Sequence, residues 1–210
     1  LKGLYDKTRS ERKYLITGSA RLDYYRRGGD SLLGRYHFYR LHPLSVAELT
    51  KTNKLSFDRL LSLGGFPEPY FSGSLRSAQR WRKERRTLIF REDLQNLERV
   101  NDITHVELLA LRLPALVGSP LSINALAQDL QINFRTAANW LQMLERLYYC
   151  FRIYPFGSDR IRAVKKEAKL YLWDWSEVEN PGARFENLVA SHLLKYCHYL
   201  EDTEGDDMEL

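Results

Sequence analysis

The strongest constraint on the fold is an apolar periodicity between residues 121 and 148. Apolar residues recur at the spacing of one helix face on both sides of a break at residues 131–133. The two faces consist of Ile123, Leu126, Ala127 and Leu130, and of Ala137, Leu141 and Leu144. Ser122 and Asn133 can accept hydrogen bonds from the free N–H groups that begin the two helices. The pattern predicts a helix-turn-helix, although Gln131 occupies the turn, where glycine is common.

The segment after these helices predicts a β-hairpin. An aromatic and β-branched run begins at Cys150, a Gly157-Ser158-Asp159 turn follows, and a return strand ends at Trp173. A hairpin placed after a helix-turn-helix indicates a winged helix. We therefore expect a winged helix over residues 101–175.

The second helix and the hairpin form a candidate surface for a polyanion. Its exposed residue types suit base edges and phosphates in a DNA major groove, and in the hairpin the basic residues outnumber Asp159 and Glu167. The candidate nucleic-acid-binding residues are Arg135, Asn139, Gln142, Arg146, Arg160, Lys165 and Lys166. Two interpretations stay open, because winged helices also dock onto proteins and Glu145 on the same helix would repel phosphates.

The distribution of charge separates a basic body from an acidic end. The net charge is +5, but the last ten residues hold six acids and no base, so the first 200 residues carry +11. Such an excess attracts nucleic acid or nucleotide phosphates, and it also occurs on surfaces that are simply solvated.

The pattern of residues 1–55 predicts alternating strands and helices. The run KYLITGS at residues 13–19 ends in the small residues Thr17, Gly18 and Ser19, and RYHFYRL at residues 35–41 is a second strand candidate. Small polar groups at the carboxyl ends of parallel strands usually face a ligand or a tight turn. Two strands do not make a stable sheet, so we expect the chain to be a piece of a longer protein with further strands upstream.

Residues 56–100 predict helices. One helix ends at Gly64-Gly65, and Pro67 and Pro69 prevent its return. A long amphipathic helix follows, and its first half carries Arg80, Arg82, Lys83, Arg85 and Arg86. These arginines fit either a solvated face or a surface that binds phosphates. In residues 176–210 a further helix carries Glu186, which fits either a first-turn carboxylate or a metal ligand.

Six motifs in order carry a resemblance to a known family. They include YLITGSA, SLLGRYHFYRLHPLSVAEL, GGFPEPYF, KKEAKLYLWD and RFENLVASHLLK. With the helix-turn-helix between them, the chain resembles the bacterial and archaeal AAA-type ATPases that carry a C-terminal domain of unknown function 4143. The resemblance implies a mixed α/β protein in four parts. These are the C-terminal part of an AAA module with a partial P-loop-type parallel sheet (1–55), a helical lid or linker (56–100), a winged helix (101–175) and the start of a PD-(D/E)xK-like nuclease domain (176–210).

The resemblance also implies roles for three residues near the N-terminus. Thr17 and Ser19 correspond to the sensor strand that detects the γ-phosphate of ATP, and Arg35 to a sensor or an arginine finger that acts on a neighbouring subunit of an oligomer. An ion pair with a nearby carboxylate is an equal alternative for Arg35. ATP and Mg²⁺ are then cofactors of the parent protein.

The sequence lacks the residues that this chemistry needs. No GxxxxGK[ST] motif occurs, so we expect no ATP hydrolysis by these 210 residues alone. We also expect no nuclease activity, no metal site and no catalytic residue, because the acids and lysine of a nuclease motif do not follow Glu186.

Other classes of protein are excluded by absent patterns. No run of about 18 apolar residues and no signal segment occurs, and Cys150 and Cys197 form no CxxC pair, which indicates a cytoplasmic protein without a membrane span. Three functions stay open. They are an AAA-type ATPase fragment whose winged helix couples nucleotide state to a partner, a DNA-binding winged helix, and a regulatory module that binds a protein.

Overall fold

The computed structural model describes residues 2–8, 11–18, 36–49, 53–90, 102–156 and 168–210. The chain divides into two compact units, Leu1–Phe38 and Tyr39–Leu210. The described residues form a helix-rich α/β structure with one small antiparallel sheet.

The first unit begins with helix α1 (Lys2–Thr8). A turn follows in which the amide of Arg12 donates to the carbonyl of Thr8 over 2.9 Å. The hydroxyl groups of Thr8 and Tyr14 are also hydrogen-bonded to each other. These contacts fold residues 11–14 back onto the end of α1.

The prediction of strands at residues 13–19 and 35–41 is wrong for the residues described there. Residues 13–18 and 36–41 have no strand structure, and Leu15 and Ile16 are 91% and 49% exposed. A strand is stable only when neighbouring strands pair with its backbone and cover its apolar face. In the described part of the chain neither segment has such a neighbour, so the expected parallel sheet is not formed there.

The second unit contains seven helices and two strands among its described residues. The helices are α2 (Lys54–Leu63), α3 (Pro67–Ser72), α4 (Leu75–Leu88), α5 (Ile103–Arg112), α6 (Ile123–Asp129), α7 (Phe134–Arg146) and α8 (Pro181–Thr203), with short 3₁₀ helices at Val46–Glu48, Leu113–Leu116 and Trp175–Glu177. The strands are β1 (Cys150–Ile153) and β2 (Lys169–Leu172). None of the helices in the described ranges has the combined length and apolar character to cross a membrane.

Side-chain caps set the starts of most of these helices. Asn53, Ser74, Asp102, Ser122, Asn133 and Asn180 each accept a hydrogen bond from a backbone N–H of the first turn. The two N-caps predicted for α6 and α7 are therefore confirmed. Ser45 and Glu48 form a capping box on a 3₁₀ helix of three residues.

The tight turn between α6 and α7 is also confirmed. Gln131 lies at its centre with a φ of 53°, in the left-handed region that favours glycine. Holding a non-glycine residue in this region costs about 1 kcal/mol. The apolar faces of both helices, with Leu126, Leu141 and Leu144 among them, are buried.

The predicted pairing of two strands after α7 is confirmed for β1 and β2, whereas the predicted turn at residues 157–159 lies outside the described residues. They pair antiparallel, with Cys150 opposite Leu172 and Ile153 opposite Lys169. Pro120 forms an isolated bridge with Lys169, and the amide of Leu121 donates to the carbonyl of Ala168 over 2.8 Å. The segment between α5 and α6 therefore covers part of the free edge of β2.

The core of the second unit forms where α2 and α8 meet the 3₁₀ helix Trp175–Glu177. Trp175 is buried among Leu60, Tyr70 and Leu188, and its indole N–H donates to the carbonyl of Leu60 over 2.9 Å. Gly65 permits this packing, because a Cβ there would lie 2.5 Å from the Trp175 ring and 2.6 Å from a backbone oxygen. Helix α2 ends at Leu63, directly before the glycine pair, so its predicted end is confirmed.

Candidate functional site

Helix α7 presents the four polar residues that the sequence predicted for its outer side. Its inner side is buried through Ala137, Trp140, Leu141 and Leu144. Arg135, Asn139, Gln142 and Arg146 are all exposed. At 100° per residue these four positions fall within an arc of about 60°. We call this set the outer line of α7.

The two acidic residues of segment 120–156 are both paired with arginines. Glu145 accepts two hydrogen bonds of 2.7 Å from the Arg152 guanidinium of β1. Asp129 accepts a 2.8 Å hydrogen bond from Arg112. Glu145, which the sequence analysis placed in conflict with phosphates, is therefore neutralised by the neighbouring strand. The outer line itself contains two arginines and no acidic residue.

Five of the six remaining predicted site residues lie outside the described ranges. Arg160, Lys165 and Lys166 belong to residues 157–167, outside the described ranges, as do Ser19 and Arg35. Thr17 is described and exposed, in the segment without strand structure. Four of the ten predicted residues thus form one surface.

Glu186, near the start of α8, contacts β2. Its carboxylate accepts hydrogen bonds from the Lys169 ammonium over 3.0 Å and from the Tyr171 hydroxyl over 2.9 Å. The hydrogen bond from Lys169 holds the pKa of Glu186 below its usual value. In the described ranges no group of three or more His, Cys, Asp or Glu side chains is arranged to hold a metal ion. These contacts favour a structural role for Glu186.

Three of the basic residues singled out on α4, Arg82, Arg85 and Arg86, are partly buried against the protein, which neither interpretation of the sequence anticipated. Arg82 donates to the Ser176 hydroxyl over 2.7 Å. Arg85 donates to the carbonyl of Tyr148 over 3.1 Å and lies 4.4 Å from the Phe66 ring centre. Arg80 and Lys83 are exposed and fit the solvated interpretation, and Arg80 pairs with Glu84 at 2.8 Å.

Arg85 and Arg86 lie beside a buried carboxylate, Glu177, that the sequence did not indicate. Glu177 lies 4.0 Å from Arg85 and 3.7 Å from Arg86, and accepts a hydrogen bond from the buried Tyr149 hydroxyl. Burial raises the pKa of Glu177, and the nearby Asp174 carboxylate raises it further. We call Arg85, Arg86, Tyr149 and Glu177 the buried ion cluster. It joins α4 to the residues that flank the hairpin, since Tyr149 precedes β1 and Glu177 follows β2.

Residues 40–48 lie along the C-terminal half of α8 and form a strap. Arg40 contacts Glu201 at 2.5 Å and Asp202 at 2.6 Å. The His42 and His198 ring nitrogens are 2.8 Å apart. Further contacts join Val46 to His192 at 3.0 Å and Lys195 to the carbonyl of Pro43 at 2.9 Å and to the Glu48 carboxylate.

The histidine pair predicts a loss of stability in acid. Burial, followed by the charges of His198, Lys195 and Arg40, lowers the pKa of His42 to about 3. In the unfolded chain the His42 ring binds a proton below about pH 6.5. In the folded chain the same ring stays neutral until the pH approaches 3. The contribution of His42 to the free energy of unfolding is therefore complete above about pH 6.5 and decreases as the pH falls towards 3.

Urea unfolding at about pH 7.5 and about pH 5 tests this prediction. The unsubstituted chain is expected to lose about 1 kcal/mol more between the two pH values than His42→Phe, after a discount for the part of the ring that solvent screens. Phenylalanine keeps the contact with the Trp173 ring, whose centre lies 4.5 Å from that of His42. Equal losses in both proteins would show that the pair does not titrate in this way.

Comparison with protein families matched two family models. One is described as an AAA domain and matches residues 1–50, and the other is described as domain of unknown function 8612 and matches residues 36–177. The resemblance to domain of unknown function 4143 is not confirmed. No curated protein and no solved structure matches the chain. The first match suggests an AAA-type domain, a class that uses a nucleotide and Mg²⁺. Because the second model covers well over half of the 210 residues, the chain belongs to the family described as domain of unknown function 8612.

Proposed function

We propose that this chain is part of an AAA-type ATP-binding protein in which residues 101–175 form a winged helix that binds duplex DNA. The observation that carries the proposal is the outer line of α7. Two arginines and two amides lie exposed along it, and Asp129 and Glu145, the acids of that segment, are paired elsewhere. In helix-turn-helix proteins the second helix is the one that enters the major groove.

The order of elements supports the winged helix. Helices α5, α6 and α7 precede the β1–β2 hairpin, and the segment before α6 pairs with β2 through Pro120 and Lys169. This pairing fixes the hairpin beside α7, where Arg152 of β1 already contacts Glu145. Arg160, Lys165 and Lys166 lie between the two strands in the sequence and stay proposed contacts to phosphates.

The match to an AAA domain supports nucleotide use by the protein, and the proposed role of the winged helix is to couple nucleotide state to the DNA partner. The described residues by themselves do not fit ATP. The 210 residues contain no GxxxxGK[ST] loop to hold phosphates, and Thr17 lies in a segment without strand structure. Sensing roles for Thr17, Ser19 and Arg35 stay proposals from the resemblance.

The salt dependence of DNA binding tests the proposal. We expect the chain to bind a labelled duplex of about 20 base pairs at about 50 mM salt and to bind it much more weakly at about 200 mM. Removing one phosphate contact with Arg135→Ala is expected to weaken binding several-fold and to reduce the slope of log affinity against log salt by about 1. Fluorescence anisotropy over a salt series measures both quantities.

Arg76→Ala provides the matched control. Arg76 is an exposed arginine on a different helix, α4, so its removal changes the net charge equally and is expected to leave the slope unchanged. If Arg76→Ala and Arg135→Ala behave alike, α7 is not the binding surface. If no duplex binds at low salt, the chain is not a DNA-binding protein.

One observation favours the alternative of a protein-binding module. Helix α8 exposes Phe185, Val189, Leu193 and Tyr196 on the side opposite its buried face. A helix that is apolar on both sides usually packs against something on each. Absence of duplex binding together with a defined protein complex that Leu193→Asp disrupts would favour this alternative.

A further inference from the structure

The outer line of α7 has amides at its centre and arginines at its ends. Asn139 and Gln142 lie between Arg135 and Arg146, and all four side chains are exposed. Neither amide has a hydrogen-bond partner within the part of the chain that the structure describes. Contacts to phosphates position a protein on the duplex, whereas contacts to base edges determine which sequence is bound. Amides at the centre of the line, with arginines at its ends, are placed where a helix in the major groove meets base edges.

The chemistry of the amides selects one base. A carboxamide has one donor and one acceptor side by side, which match N6 and N7 of adenine in the major groove. A guanidinium matches guanine instead, and on this helix the guanidinium groups lie at the ends of the line. The centre of α7 is thus suited to adenine.

The spacing along the helix suits two neighbouring base pairs. Asn139 and Gln142 are three residues apart, about 4.5 Å along the axis, and base pairs are stacked about 3.4 Å apart. Arg135 and Arg146 are separated by about 16 Å, somewhat more than the width of about 12 Å of the major groove. The amides can therefore face the floor of the groove while the arginines reach the phosphates at its borders.

An apolar flank lies beside the amides. Phe134 is 52% exposed and precedes Ala138 by one turn, on the side of the outer line nearest to Gln142. In an A·T pair the thymine methyl group lies next to the adenine in the major groove, where alanine and phenylalanine side chains contact it. An amide line with an apolar flank matches both halves of an A·T pair.

We infer that α7 recognises two adjacent A·T base pairs in duplex DNA, with Asn139 and Gln142 binding the adenines and Phe134 contacting a thymine methyl group. This inference rests on the proposed function, because it requires that α7 enters the major groove. It adds the base sequence to which the surface responds.

Selection from duplexes with a random centre tests the inference with the full 210-residue chain. We expect enrichment of a step of two A·T pairs. In the enriched duplex, 7-deazaadenine at that step removes only the N7 acceptor and is expected to weaken binding about tenfold. In Asn139→Ala, where Gln142 still contacts one adenine, the same replacement is expected to weaken binding only about threefold, while the salt slope stays unchanged. Gln79→Ala, an exposed glutamine on α4, is the control and is expected to keep the preference.

The possible results separate the inference from the proposed function. Equal binding of all duplexes, enrichment of G·C pairs, or a 7-deazaadenine effect that stays undiminished in Asn139→Ala would each overturn the inference and leave DNA binding intact. Binding of single-stranded nucleic acid in preference to every duplex, or no binding at all, would overturn both. A melting temperature of Asn139→Ala equal to that of the unsubstituted chain ensures that a lost preference is not a loss of fold.

Discussion

Replacing Asn187 with alanine is expected to lower the free energy of unfolding by about 3 kcal/mol. Asn187 is 0% exposed, and its side chain pairs with the backbone of Leu172 in both directions. The amide of Leu172 donates to Oδ1 over 2.8 Å, and Nδ2 donates to the carbonyl of Leu172 over 2.8 Å. Alanine would leave a buried N–H and a buried C=O without partners, at about 1–3 kcal/mol each.

Two measurements check this expectation. Urea unfolding followed by circular dichroism gives the loss of stability, and hydrogen exchange at the Leu172 amide is expected to become faster. Asn124→Ala is the matched control, because Asn124 is exposed on α6 and is expected to change stability by less than about 0.5 kcal/mol. A loss under about 1 kcal/mol for Asn187→Ala would show that water or another group replaces the side chain.

The Asn187 side chain makes hydrogen bonds to the backbone of β2 that a third strand would otherwise make. An isolated two-stranded hairpin is only marginally stable in water, and β2 has one edge that β1 does not cover. Leu121 covers this edge at Ala168, and Asn187 covers it at Leu172. Helix α8 therefore stabilises the hairpin on which the proposed winged helix depends.

The parts of the fold that were predicted from the sequence depend on neighbouring residues. Ser122 and Asn133 each cap a helix that begins at the next residue. The outer line of α7 follows from the apolar spacing of its inner side, since one side of a helix determines the other. Patterns of this kind involve only residues that lie within a few helical turns of one another in the sequence.

The parts that failed depend on residues far away in the sequence. The run at residues 13–19 has the composition of a strand, but a strand also needs neighbours that no local pattern supplies. The strap contact of Arg40 with Asp202 spans 162 positions. Asn187 lies in an apolar helical run, where nothing local indicates that its amide would pair with a strand.

The candidate site shows the same division. Its four exposed residues were predicted from helical spacing, whereas the neutralisation of Glu145 was not, because it requires Arg152 to face α7 from β1. The arginines of α4 were assigned to solvent or phosphate because arginine rarely lies inside a protein without a partner. Their partner, Glu177, follows Arg85 by 92 positions.

Replacing Glu177 with alanine is expected to lower the free energy of unfolding by about 4 kcal/mol. The Glu177 side chain is 5% exposed, and those of Arg85 and Arg86 are 13% and 32% exposed. Removing the carboxylate leaves two largely desolvated guanidinium groups without a counter-charge and the Tyr149 hydroxyl without this acceptor. A buried charge that loses its partner costs about 3–5 kcal/mol.

Three further variants separate charge from packing at Glu177. Glu177→Gln keeps an acceptor for the Tyr149 hydroxyl and is expected to lose about half as much stability in urea unfolding. Glu179→Ala removes an exposed carboxylate two positions away and is expected to change stability by less than about 0.5 kcal/mol. Arg85→Leu combined with Glu177→Leu removes the carboxylate together with the more buried of its two arginines and is expected to be more stable than Glu177→Ala. If the double variant is no more stable than Glu177→Ala, the cost does not come from an unpaired charge on Arg85.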